Sequence, residues 1–275
     1  MKICFLWHFI HAPRVFNNWR DGLRAAVEKI GQQRKYQVMW FIGEDVEPPK
    51  NADFYLLWDD ANSPMIRQMS KWLGRKGLCL TSDTALPPEN LRLLDVVYCE
   101  SSVVFDKVRA LGVTRAIKAF GTDDEYFTPD ENVVKDIPYF YPATFSPWKR
   151  QSVIAHLGKD LTCIGMVQPD GAGELEACKK AGVKIIDDYI PVDDIRHYYR
   201  RAQQVVIPAE HGSERTVLES MSMNILPTVN AGNHRAYSYI QEYENNKGLT
   251  PREFVLQNYS AEKYADELLK GILNK

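Results

Sequence analysis

Apolar runs of four to eight residues alternate with amphipathic segments along the whole chain, and few folds accept that rhythm. In the first half, residues 2–9, 36–42, 53–58, 77–81 and 96–99 read as strands. Residues 18–34 carry Leu23, Val27 and Ile30 on one stripe and read as a helix, as do 64–73. Ser101 opens a further helix with Val104, Val108 and Leu111 on its apolar side. Strand and helix in alternation imply a mostly parallel sheet covered by helices on both faces.

A second series of the same kind begins near Ile137. Its strands are 138–144, 161–167, 183–186 and 204–208, and its helices 149–157, 173–181 and 192–202. Ser260 caps a last helix with Tyr264, Leu268, Leu269 and Ile272 on its apolar side. Residues 121–137 are rich in Asp, Pro and Thr and read as a connection. The expectation is an α/β protein of two Rossmann-like doubly wound domains, 1–136 and 137–275, facing a cleft. A chain of 275 residues is long enough for two such domains. Ligands of these sheets bind beyond the carboxyl ends of the strands.

Several function classes lose support. A net charge of −2 leaves no global basic footprint for nucleic acid. No segment approaches the length of an integral membrane span. Cys4, Cys79, Cys99, Cys163 and Cys178 lack metal-ligand spacing, and their odd number within apolar runs suits reduced thiols in a cytoplasmic protein. The turn after the first strand reads Phe9-Ile10-His11-Ala12-Pro13, not GxGxxG, and GxxxxGK[ST] is absent. Both absences count against dehydrogenases and P-loop enzymes.

The segment from Ile207 to Val229 carries the clearest chemistry: a buried strand, a turn containing Gly212, a short helix and a second strand. A helix start has open N–H groups and partial positive charge, which suit a phosphate. Ser213 stands at the N-cap. Arg215 lies in the first turn, where a cation is unfavourable without a nearby anion. Glu219 follows one turn later, where a carboxylate accepts bonds from two sugar hydroxyls or pairs with Arg215. Phosphate beside sugar is the outline of a nucleotide-sugar site.

Three local patterns, in order, resemble the GT-B glycosyltransferases, above all the retaining family-4 type. Gly121 to Pro129 is similar to that family's GxDxxxFxP segment between domains. Phe145-Ser146-Pro147-Trp148-Lys149-Arg150 resembles the loop whose lysine contacts the donor diphosphate, and His211 to Met221 resembles the EGFGxxxxEAM region. The chain departs from the family at His211, which replaces the first glutamate with Glu210 adjacent, and at Thr144, which replaces an arginine. The glycine-rich turn after the first strand is also missing.

The resemblance implies a transferase that takes a UDP- or GDP-sugar to a hydroxyl acceptor with retention, and that requires no metal or other cofactor. Donor-binding candidates are Lys149, Arg150, His211, Gly212, Ser213, Arg215, Thr216, Val217 and Glu219, with Thr216 and Val217 offering backbone N–H groups. Asp83 and His11 stand at or beyond strand ends of the first domain and are the catalytic, acceptor-facing candidates; a turn aspartate and a helix-entry histidine are the plainer readings. The acceptor is a saccharide, a small molecule or, as in some viruses, a hydroxymethylated DNA base. Arg196, His197, Arg200 and Arg201 share one expected helix and read first as a solvated face. A non-catalytic nucleotide-sugar-binding module is the alternative.

Overall fold

The computed structural model describes residues 1–7, 21–42, 47–187, 192–246 and 248–273. They form two compact units, Met1–Gly121 with Ala261–Lys275, and Thr122–Ser260.

The first unit runs β1 (Lys2–Trp7), α1 (Asp21–Gln33), β2 (Gln37–Ile42), β3 (Phe54–Asp59), α2 (Pro64–Met69), β4 (Arg75–Leu80), α3 (Pro88–Leu91), β5 (Val96–Cys99), α4 (Ser102–Ala110) and β6 (Ala116–Lys118). The strands form one parallel sheet in the order β2-β1-β3-β4-β5-β6. Along β3, Phe54, Leu56 and Trp58 enter one core and Tyr55 and Leu57 the other, following the two-residue period of a strand. Both faces are covered, so this strand is apolar throughout its first five residues. Ser101 caps α4 as expected, accepting from the Val104 N–H at 3.3 Å.

The second unit continues with β7 (Ile137–Pro142), α5 (Gln151–Ile154), a 3₁₀ turn (Ala155–Asp160), β8 (Leu161–Ile164), α6 (Ala172–Lys180), β9 (Lys184–Ile186), α7 (Val192–Arg201), β10 (Ala202–Ile207), α8 (Glu214–Ser222), β11 (Thr228–Val229), α9 (His234–Asn245) and α10 (Pro251–Asn258). Its sheet is also parallel, in the order β11-β10-β7-β8-β9. The strand order reverses between β7 and β10, which pair from Ala202↔Ile137 to Val205↔Phe140. A reversal of this kind leaves a crevice at the strands' carboxyl ends, the usual ligand position in such sheets.

The final helix α11 (Ala261–Leu273) returns to the first unit. Its Tyr264, Leu268, Leu269 and Ile272 pack against Phe54, Trp58 and Tyr98. Tyr98 Oη donates to the Leu268 carbonyl at 2.7 Å, and Arg75 and Arg115 cap the last carbonyls of α11 at Ile272 and Gly271. The expected division at 136/137 therefore differs from the observed one at both ends.

The segment expected as a connection is built into the second unit. Thr122 N–H donates to the Tyr259 carbonyl at 2.9 Å. Arg252 donates to the carbonyls of Phe127 and Ser222 at 3.0 and 2.6 Å and to that of Asp124 at 3.3 Å. Phe127 is buried. The Asp and Pro residues that suggest a linker mark tight turns whose carbonyls are bound by a side chain 125 positions away.

Residues 149–157, expected as one helix, form a turn, a single turn of α5 and the 3₁₀ turn, which breaks at Gly158 with φ +56°. All five cysteines are free and buried. Among the described residues no helix is long and apolar enough to cross a membrane.

Candidate functional site

The loops that follow β7 and β10 meet at the switch point of the second sheet. Lys149, in the first loop, donates from Nζ to Ser213 Oγ at 2.8 Å and to the His211 carbonyl at 3.4 Å. A topology that places β7 beside β10 thus brings together residues 64 positions apart.

The first loop is held from several sides. Lys149 N–H donates to the Ser146 carbonyl at 2.9 Å, and Tyr141 Oη donates to the Lys149 carbonyl at 3.1 Å. Gln151 is fully buried, and its Nε2 donates to the carbonyls of Thr144 and Ala143 at 2.8 and 3.3 Å. Glu174 of α6 accepts from Ser152 N–H at 2.6 Å and Oγ at 3.0 Å. A Cβ on Gly171 falls 2.0 Å from the Phe145 carbonyl oxygen, so this backbone approach requires glycine. Bonds of this kind fix the direction in which Lys149 leaves the loop.

The second loop turns through two consecutive left-handed residues, Gly212 at φ +70° and Ser213 at φ +73°. Arg150 is left-handed as well, at φ +56°. Each non-glycine residue in this region costs on the order of 1 kcal/mol. Two of the four such residues among those described lie in these two loops, so local strain is concentrated at the switch point. Asn233 Nδ2 holds the Gly212 carbonyl at 2.8 Å, and Asn230 Nδ2 holds those of Pro208 and Ala209 at 3.2 and 3.3 Å.

Two expectations change here. Ser213 occupies the N-cap position of α8, but its side chain makes no capping bond. Its left-handed backbone differs from the extended conformation a capping serine adopts, and its hydroxyl takes Lys149 instead. Val217 N–H donates to the Ser213 carbonyl at 3.1 Å, so it is spent inside the helix and is not an open phosphate donor. Thr216 and Val217 are both buried.

A charged cluster underlies the turn. Glu214 and Arg235, both buried, form an ion pair between α8 and α9. Burial pushes the Lys149 ammonium down from 10.5 to about 8; Glu214 opposes the shift and Arg235 adds to it. Arg150 pairs with Glu210 at 2.8 Å on the surface, where such a pair contributes about 0–1 kcal/mol. The carboxylate next to His211 is thereby directed to Arg150. His211 itself is exposed.

Glu219 is buried on α8 and accepts from Tyr199 Oη at 2.9 Å through Oε2. Tyr199, Glu214, Arg235, Asn230 and Asn233 all escape a reading of the sequence. Only Asn233 carries a local sign, as an N-cap before a helix: its Oδ1 accepts from Ala236 N–H.

The remaining candidates lie elsewhere. Asp83 belongs to the first unit, three residues past β4, and pairs with Lys107 of α4 at 2.5 Å. His11 lies outside the described residues. Of the basic residues on α7, Arg196 stacks over the Tyr126 ring at 4.4 Å and Arg200 donates to the Thr128 carbonyl at 3.1 Å. Arg201 makes a two-pronged pair with Asp136 at 2.7 and 2.6 Å. These three cations serve packing within the unit rather than a bare solvated face.

No protein-family model and no curated protein matches the chain. Solved structures do. Trehalose-6-phosphate synthase, OtsA, superposes with a TM-score of 0.66 at 9% identity, covering 100% of this chain and 99% of that one. An α-glucosyltransferase in complex with UDP and a 13-mer DNA gives 0.62 at 11% identity, covering 100% of both chains. The chain has the GT-B fold. The DNA-modifying enzyme β-glucosyltransferase, also similar, gives 0.59 at 12% identity with 99% of each chain covered. The candidate site lies in the second unit.

Proposed function

We propose that the protein is a glycosyltransferase that moves a sugar from a UDP- or GDP-sugar to a hydroxyl acceptor. The observation that supports this most is the Lys149 ammonium fixed on Ser213 at the N-terminus of α8, at the switch point of the second sheet. In this reading the donor diphosphate lies against Lys149, Gly212 and the first turn of α8, with Arg150 and Arg215 beside it. Glu219 takes the ribose hydroxyls and His211 faces the transferred sugar.

As the glycosidic bond to the diphosphate breaks, negative charge grows on the departing oxygen. A cation and a helix start already aimed at that oxygen stabilise the transition state more than the ground state. Loss of one such group costs about 10²-fold in rate. The cations carry the charge, so the reaction calls for no metal. Asp83 and His11 are the acceptor-side candidates, and retention of configuration follows from the family-4 resemblance. The five free cysteines suit a reducing compartment, and the reading takes the protein as cytoplasmic.

A thermal-shift screen of UDP, GDP, ADP and their sugars tests the reading. A ligand at 100 times its Kd adds about 2.7 kcal/mol of stability. No shift with any of them at millimolar concentration sinks the proposal.

A hydroxymethylated DNA acceptor is the second reading, favoured by the two DNA-linked glucosyltransferases among the similar structures. The pairing of Arg196, Arg200 and Arg201 within the unit weighs against a DNA groove on α7. A gel-shift titration with hydroxymethylated duplex decides it: salt-dependent retention supports DNA, and free migration at low salt removes it. His211 in place of the family glutamate motivates a non-catalytic binding module, which predicts donor binding with neither transfer nor hydrolysis.

A further inference from the structure

We infer that Tyr199 is a positioning residue for the ribose carboxylate Glu219, and that Phe127, from the segment between the two sheets, holds Tyr199 in place. The inference rests on the nucleotide-sugar reading and adds two residues that the reading does not use.

Tyr199 is fully buried, and its ring is gripped edge-on from two sides. Phe127 meets it at 5.5 Å and 81°, and Phe140 of β7 at 5.1 Å and 84°. Rings in this arrangement resist rotation because each edge sits against another face. A phenol O–H keeps close to its ring plane, so the held ring fixes the plane of the hydroxyl, and it donates to Glu219 Oε2 at 2.9 Å. A carboxylate has about four acceptor positions, and this bond uses one while setting the plane of the others.

Phe127 is itself fastened to the helix that carries Glu219. Its carbonyl accepts from Ser222 Oγ at 2.7 Å and from Arg252 Nη1 at 3.0 Å. Ser222 lies on α8, three residues past Glu219. One segment therefore binds α8 through Ser222 and steadies the group that aims Glu219. A buried charged acceptor without its oriented donor loses both a bond and a direction.

The test measures Kd by calorimetry for wild type, Tyr199→Phe and Phe127→Leu. The probes are the tighter of UDP and GDP, its 2′,3′-dideoxy analogue and inorganic pyrophosphate. Tyr199→Phe should weaken the ribose diphosphate about tenfold while changing the dideoxy analogue and pyrophosphate less than about twofold. Phe127→Leu should move the same probe in the same direction, and it decides the matter if Tyr199→Phe melts below the assay temperature. Unchanged affinity for the ribose diphosphate overturns the inference. So does an equal loss for all three probes, which marks a purely structural role. Wild type that binds neither UDP nor GDP overturns the nucleotide-sugar reading itself, and this inference with it.

Discussion

Lys149 makes the account testable through pH. Its ammonium is pulled from 10.5 to about 8, chiefly because burial removes water from the charge. The last diphosphate proton is largely lost by about pH 7.5 and the uracil ring keeps its own below about pH 9, so the lysine is the group that titrates in this contact between them. The protonated form binds the anion, and affinity for UDP should be flat to about pH 8 and then fall by up to tenfold per unit. A bond to a charged group contributes about 1.5–3 kcal/mol, or about ten- to a hundredfold in Kd, which limits the total fall. Lys149→Met should bind at the weak plateau at every pH and show no alkaline limb. In the unliganded protein the sign is opposite: the folded pKa is depressed, so the unfolded chain holds the extra proton between pH 8 and 10.5. Stability from this residue therefore rises with pH across that window. Calorimetry at about pH 7.5, 8, 8.5 and 9 reads the binding arm, and proton uptake at about pH 8.5 reports the linkage. A wild-type affinity that stays level to about pH 9, or a limb below that pH that survives in Lys149→Met, refutes the reasoning.

The other predictions concern the scaffold and the chemistry. Glu214→Gln leaves Arg235 buried without its carboxylate and should cost about 3–5 kcal/mol in denaturant unfolding; a change below 1 kcal/mol contradicts the pairing. Arg252→Ala frees the carbonyls of Asp124, Phe127 and Ser222 and should speed amide exchange over residues 122–129, leaving β1–β6 unaffected. Gly271→Val places side-chain atoms where a Cβ alone would lie 2.5 Å from Tyr98 Oη, and should lower stability by about 1–3 kcal/mol. Treatment with EDTA should leave sugar transfer at its starting rate.

The sheets were legible because strands buried on both faces must be apolar throughout, as residues 54–58 are. The meeting of Lys149 with the turn before α8 was legible too, since Gly212 before a helix and Lys149 after a strand are local signals. The return of α11 was not: its apolar stripe fits either sheet, and Arg75, Arg115 and Tyr98 become partners only in three dimensions. The segment 121–129 shows the same limit, because Arg252 is far away in sequence. Tyr199 sits in an amphipathic pattern where a buried tyrosine looks like core, and Glu214–Arg235 joins two helices with no shared period. By contrast, Thr250-Pro251-Arg252-Glu253 is a complete capping box at the start of α10, a helix that the pattern of apolar runs leaves unread although capping rules reach it.

A crystal structure with UDP tests the central claim most directly. The account predicts the β-phosphate within hydrogen-bond distance of Lys149 Nζ, over the start of α8, with the ribose hydroxyls on Glu219. A nucleotide bound elsewhere, or one whose phosphates point away from Lys149, contradicts it.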